Sequence, residues 1–423
     1  MMNSPTLARR PALLGNSRRS EHRFPGWPVF DASDEEAVLR ALRSGQWGKL
    51  SGTEVRTFEG RFAAMHGARF GIGVVNGSIS IRLALMAAGL KAEDEVIVPS
   101  YTFLTSATAI VEANAIPVFA DVELETLNLC PKAFEAAITP RTRAVVVVHF
   151  AGLPANMDAI LPIARKHGLI VIEDAAHAHC ATYRGQPVGA LADAGSFSFQ
   201  SSKNLNSGEG GIVITNNQAL AELVTSLHNC GRIGKGQWYE HHISAVNYRM
   251  GELQGALLNS QLNRLEAQTR LRDENASYLA SRLARLPGVY PQRRDANCTR
   301  HAYHLFTFRI IAEEFGLSRE VLLKALAAEG VGCGAGYPLP LYRQPLFLEK
   351  AFGPYLHHAA PRLDFSRVRN PNCETICYQQ GGWYTQSLFL GTRGDMDAIA
   401  DAWECIFSHR SALIDWSRRN PQT

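Results

Sequence analysis

Between residues 70 and 215, short β-branched runs alternate with segments of helical periodicity, and this alternation leaves few architectures open. The strand candidates are 70–75, 95–98, 116–120, 144–149, 169–173, 195–199 and 211–215, with apolar-periodic helices at 80–88, 106–113 and 158–167 between them. Repeated strand–helix–strand order gives an α/β fold with a mainly parallel central sheet covered by helices on both faces. Ligand chemistry in such sheets belongs at the carboxyl ends of the strands.

Two further helices are expected at 34–44 and 57–66. A long one runs from about 250 to 285, with Leu253, Leu257, Leu258, Leu262 and Leu265 at helical spacing. Long helices of this kind carry a chain from one domain to the next. With 423 residues, 46% of them hydrophobic, the chain can bury two cores. The expected division is an N-terminal arm over 1–30, a large α/β domain over 31–265 and a smaller C-terminal α+β domain over 266–423. The smaller domain has a strand at 304–311 and helices at 318–328 and 396–407.

Charge and cysteine content narrow the function classes. The formal net charge is +4, and Arg9, Arg10, Arg18 and Arg19 of the arm, read as a solvated tail, supply part of it. The body is then too near neutral for a nucleic-acid face. No run approaches the ~18 apolar residues of a membrane span. The N-terminus lacks a secretory apolar core. Eight scattered cysteines read as reduced thiols in a cytoplasmic protein. Cys373 and Cys377 stand one helical turn apart with no second ligand pair, so no metal is expected.

The chemistry is concentrated at four strand ends. Lys203 follows an apolar strand, with Ser198, Ser201 and Ser202 before it and Gly208, Gly210 and Gly211 after it. A desolvated lysine loses its proton easily and attacks a carbonyl to form a Schiff base. Asp174 closes the strand one crossover earlier, where a carboxylate can partner a pyridine nitrogen; a helix cap is its simpler reading. Asn76-Gly77-Ser78-Ile79 ends the first strand and opens a helix, a place for a phosphate or for plain capping. Phe103, after the second strand, can cover a planar ring or simply pack in the core. His177, His179 and Cys180 do not share one helical face, which argues against zinc. A lysine and a carboxylate at neighbouring strand ends point to pyridoxal phosphate.

In order and spacing this set resembles the DegT/DnrJ/EryC1/StrS family of sugar and aminocyclitol aminotransferases. The likeness is carried by Asn76-Gly77-Ser78, Pro99-Ser100-Tyr101-Thr102-Phe103, Glu173-Asp174-Ala175-Ala176-His177, Phe197-Ser198-Phe199 with Ser202-Lys203-Asn204, Gly208-Glu209-Gly210-Gly211, and Asn247-Tyr248-Arg249-Met250. It covers about residues 40–410. The resemblance implies the pyridoxal phosphate fold of type I, related to aspartate aminotransferase, and a homodimer with shared active sites. It makes Lys203 the Schiff-base lysine and Asp174 the partner of the pyridine nitrogen. Phe103 would stack on the ring, and His177 would lie near its hydroxyl. Gly77, Ser78, the Ile79 N–H and Ser198 would hold the phosphate. Asn247, with Arg249, would reach the neighbouring subunit's cofactor. The implied reaction moves an amino group from glutamate or glutamine to a keto-sugar or cyclitol ketone.

Two positions depart from the family pattern. His177 stands where Gln is commoner, and Gly336-Tyr337-Pro338 replaces a His-Tyr pair common in nucleotide-sugar members. Residues 339–347 and Ser207-Gly208-Glu209-Gly210-Gly211 are similar to the branch acting on inosose-type ketones. Acceptor choice is expected in loops around Trp47, 235–242 and 336–343. A non-catalytic cofactor-binding regulator of the same fold is the alternative, opposed by retention of Lys203 and Asp174. A dinucleotide enzyme is disfavoured because no G-x-G-x-x-G follows the first strand.

Overall fold

A computed structural model gives the fold and describes residues 9–15, 24–237 and 239–420. The chain forms strands β1 (Phe70–Val74), β2 (Glu95–Pro99), β3 (Ile116–Ala120), β4 (Thr142–Val148) and β5 (Ile170–Asp174). Then follow the two-residue β6 (Thr182–Tyr183) and β7 (Gln186–Pro187), β8 (Ala194–Ser198) and β9 (Gly211–Thr215). The last four are β10 (Val289–Pro291), β11 (Cys298–Arg300), β12 (Leu305–Ile310) and β13 (Gly381–Thr385).

Seven strands form the large sheet in the order β1-β9-β8-β5-β4-β2-β3. The pairs β2–β3, β2–β4, β4–β5 and β5–β8 are parallel. The pairs β8–β9 and β1–β9 are antiparallel, so β9 runs against its neighbours. Val146 and Val148 enter one hydrophobic cluster while Val145 and Val147 enter another. Both faces of β4 are therefore covered, and its run of valines reads as continuous rather than alternating.

The helix expected from residue 80 begins at Gly77, because the Asn76 side chain accepts the Ile79 N–H and caps its first turn. The helix expected from 57 likewise begins at Glu54. A second sheet, β10-β12-β13, packs through Phe306 and Phe308 of β12 with Trp403 and Met396 in a third cluster.

The helix Glu252–Leu283 runs unbroken through the expected boundary at 265/266. Leu258, Leu262 and Leu265 pack with the large-sheet cluster, whereas Ala276, Leu279 and Leu283 join the third cluster. The packing changes along the helix, not at a linker. Leu341, Phe347, Phe365 and Cys373, assigned from sequence to the smaller domain, pack in the large-sheet core.

The arm also differs from expectation. Arg9 pairs at 2.5 Å with Glu329, whose side chain is only 1% exposed, so that residue is docked and not solvated. Arg18 and Arg19 lie outside the described residues. No described helix is long and apolar enough to cross a membrane.

Candidate active site

The carboxyl ends of β5 and β8 and the start of the Gly77–Ala87 helix open onto one cavity of about 710 Å³. Lys203, Asp174, Gly77, Ser78, Phe103, His177 and Ser198 all line it. Positions more than a hundred residues apart meet there because parallel strands end on one edge of the sheet.

Lys203 sits in the 199–210 loop between β8 and β9. The loop folds back on itself through Phe199 N–H to Gly210 O and Ser201 N–H to Gly208 O, both 2.8 Å. Burial lowers the Lys203 amine from 10.5 to about 8, opposed by the attraction of Asp174. Burial raises the Asp174 carboxyl. Ser106 Oγ, which donates to Oδ2 at 2.7 Å, and the Ala176 N–H, which donates to Oδ1 at 3.2 Å, oppose that rise. The weaker pulls of Lys203 and His149 act in the same direction. The site thus holds an amine lowered to about 8 in the same cavity as a carboxyl whose rise on burial is opposed by two donors.

The adjacent acid is differently committed. Glu173 is fully buried and takes His149 Nε2 at 2.9 Å and the Gly189 and Ala192 N–H groups at 2.7 and 2.9 Å. It holds the scaffold and does not line the cavity.

Gly77 is required by close approach. A Cβ there would lie 2.6 Å from Ser198 Cβ, so the helix start and the end of β8 could not meet. Gly211 faces the same turn, where a Cβ would lie 2.4 Å from the Asn76 carbonyl. Ser78 and Ser198 therefore stand at the N-terminus of an 11-residue helix, which favours an anion. Ile79 departs from expectation: its N–H donates to Asn76 Oδ1 at 2.9 Å and is spent on the cap. Asn247 does not line this cavity; it is exposed, and its Oδ1 accepts the Arg249 N–H at 3.1 Å. Arg249 itself donates to Asn229 Oδ1 at 2.8 Å.

His177 Nδ1 accepts the Ala151 N–H at 3.3 Å, which leaves its proton on Nε2. Burial, and then the charge of Lys203, hold this ring well below its ordinary 6.5. Its ring lies 4.3 Å from that of His304, which also lines the cavity and which no sequence motif flagged. Trp27 from the arm, and Trp383 and Gln386 around the end of β13, line it too. Lying far from any motif, they gave no signal in the sequence. Of the loops expected to govern specificity, Tyr337 reaches the cavity, with its ring 5.0 Å from Trp383 and edge-on. Trp47 does not; it is 57% exposed and donates to Leu42 O at 2.9 Å. Trp238, within 235–242, lies outside the described residues.

Pyridoxal phosphate needs an amine, an acid for its ring nitrogen and donors for its phosphate. Lys203 and Asp174 supply the first two in one cavity, and the Gly77 approach builds a helix N-terminus beside Ser198 for the third. The residues fit the group. No group of three or more His, Cys, Asp or Glu side chains among the described residues is placed to hold a metal ion.

Comparison with known proteins agrees with this chemistry. The chain is 38% identical over 390 residues to 3-amino-5-hydroxybenzoate synthase of Amycolatopsis mediterranei, covering 91% of this chain and 97% of that protein. It is 36% identical over 412 residues to L-glutamine:2-deoxy-scyllo-inosose aminotransferase of Streptoalloteichus tenebrarius, covering 92% and 96%. The crystal structure of a 3-amino-5-hydroxybenzoic acid synthase superposes with a TM-score of 0.82 at 35% identity, covering 92% of this chain and 99% of that one. The fold is that of the type I pyridoxal phosphate enzymes, and pyridoxal phosphate is the cofactor. The model of the DegT/DnrJ/EryC1/StrS aminotransferase family matches residues 28–360, most of the chain, and the protein belongs to that family of aminotransferases.

Proposed function

We propose that the protein transfers an amino group from glutamine or glutamate to a cyclitol ketone of the inosose type. The single observation that carries the proposal is the meeting in one cavity of the Lys203 amine, lowered by burial to about 8, with the Asp174 carboxyl and its two hydrogen-bond donors. When bound, pyridoxal phosphate supplies an electron sink that stabilises negative charge at the substrate carbon. Asp174 would hold a proton on the ring nitrogen, and Ser106 and the Ala176 N–H, which donate to its two oxygens, favour its charged form for that task. Lys203 Nζ holds the cofactor, then removes the proton from the donor's α-carbon as general base and later returns one as general acid. Ser78 and Ser198 orient the phosphate. Phe103, which lines the cavity with 53% of its surface exposed, would cover the cofactor ring and exclude water from it.

The acceptor class rests on the two relatives, which act on or form six-membered carbocycles by their names. The edge-on Tyr337 and Trp383 rings offer an apolar wall suited to such a ring. We also propose a homodimer in which Asn247 and Arg249 of one subunit reach the other's cofactor phosphate, since Asn247 is exposed and away from its own cavity. A cytoplasmic location suits the eight cysteines, all free thiols. The test is to supply the purified, cofactor-loaded protein with glutamine and a panel of inosose-type ketones and nucleotide-linked keto-sugars, with mass detection of the aminated product. Amination of the inososes alone supports the reading; amination of the nucleotide sugars alone contradicts it.

A further inference from the structure

The helix Glu252–Leu283 carries an arginine whose charge has no counter-ion among the described residues. Arg272 is fully buried, and its Nε donates to Gln386 Oε1 at 2.9 Å. Its Nη1 and Nη2 have no hydrogen-bond partner among the described residues. Two other arginines of the same helix are paired: Arg264 with Asp34, and Arg282 with Asp397, Asp401 and Glu404. Burial lowers the Arg272 guanidinium from 12.5 to about 9. An unpaired buried charge opposes folding, and the wall of a cleft is where such a cost is repaid by a ligand.

The position of Arg272 says which ligand. Its Cζ lies 5.4 Å from the centre of the Trp27 ring, and Trp27 and Gln386 both line the cavity that holds Lys203. The guanidinium therefore stands one side chain behind the cavity wall. Its charge bears on His304, another lining residue. Gln386 fixes one edge of the guanidinium and leaves the two Nη groups, the geometry that grips a carboxylate with two parallel hydrogen bonds. Trp27 is tethered by its Nε1, which donates to Ser201 O at 2.7 Å, two residues before Lys203. The indole thus couples the arginine to the lysine loop.

We infer that Arg272 receives the α-carboxylate of the amino-acid donor, which enters between Trp27 and Gln386 as the indole turns aside. The inference rests on the proposed donor class. It also separates the two half-reactions, because a keto-cyclitol has no carboxylate and no claim on Arg272.

The test uses cofactor-loaded protein and 4-carbamoylbutanoate, which is glutamine without its amine and cannot react. Calorimetry gives its affinity for wild type, Arg272→Gln and Arg272→Lys. Arg272→Gln is expected to weaken binding about 10- to 100-fold, the loss of a charge-assisted hydrogen-bonded pair. Arg272→Lys keeps the charge without the fork and falls between. The KM for glutamine rises in parallel, while the KM for the ketone stays within about twofold. Amination driven by 4-aminobutanamide, glutamine without its α-carboxylate, is unaffected. Trp27→Ala, which removes the cover but keeps Arg272, is expected to speed association of 4-carbamoylbutanoate, and it serves if Arg272→Gln does not fold. Equal affinity in wild type and Arg272→Gln would overturn the inference and leave the aminotransferase reading intact, as would unchanged association in Trp27→Ala together with unchanged affinity in Arg272→Lys. If wild type converts the ketone with no α-amino acid at all, the donor reading fails and the inference falls with it.

Discussion

Ser106 Oγ donates to Asp174 Oδ2 at 2.7 Å, joining the helix Thr105–Glu112 to the last residue of β5 beneath the active-site cavity. This bond opposes the rise that burial imposes on the Asp174 carboxyl. Ser106→Ala is therefore expected to shift Asp174 towards its neutral form and lower kcat by about 10-fold, the worth of one hydrogen bond to a charged group. Asp174→Asn, which removes the charge, is expected to cost about 10²- to 10³-fold. Steady-state kinetics on both variants, with cofactor content measured by absorbance, checks the order.

The two neighbouring acids of β5 should separate cleanly in experiment. Glu173 is enclosed by His149, Gly189 and Ala192, and its removal leaves buried donors unpaired. Glu173→Ala is expected to lower stability by about 3–5 kcal/mol. Asp174→Asn should change stability far less than activity. Thermal and denaturant unfolding of the two variants checks the contrast.

Lys203 carries a pH signature. Its pKa is lowered on folding, from 10.5 to about 8, so the neutral amine grows in as pH rises through about 8. The protonated form opposes the fold most fully below that value, and the penalty fades as pH climbs towards 10.5. Cofactor-free protein should capture pyridoxal phosphate faster with rising pH, levelling off above a midpoint near 8. Asp174→Asn should move the midpoint down, because Asp174 is the attraction that holds the amine's proton. Stopped-flow absorbance reads both, and a wild-type midpoint near 10.5 contradicts the account.

The Gly77 contact brings the helix start against Ser198, where the phosphate is proposed to bind. Gly77→Ala brings a Cβ to 2.6 Å from Ser198 Cβ, and relieving it must shift the helix start or β8. The variant is expected to lose about 1–3 kcal/mol of stability and to bind pyridoxal phosphate more weakly. Gly89→Ala is a poor control because Gly89 has a φ of +80°; Gly60→Ala, with nothing within 4 Å of its Cβ, is a better one.

The sheet was legible because both faces of β4 and β5 are covered, so their apolar runs are long and their ends fall at polar residues. The meeting of Lys203, Asp174, Gly77 and Ser198 in one cavity was legible for a related reason: each lies at or within a few residues past the end of a large-sheet strand. Ile79 was misjudged because its N–H competes between an anion and the Asn76 cap, and the cap takes it. His304, Trp383 and Gln386 were hidden because the smaller domain reaches the cavity through the packing of β12 and β13, which no local motif encodes. Trp27 was hidden because the arm read as a tail. The boundary at 265/266 had no local signal either, since one helix serves both cores.

The attachment of pyridoxal phosphate to Lys203 is tested most directly by borohydride reduction of the loaded protein, followed by proteolysis and peptide mass mapping. The account predicts a single modified peptide containing residues 199–210, with the added mass on Lys203, and none in Lys203→Ala. A label on any other lysine, or an unlabelled Lys203 in protein that still turns over, would contradict it.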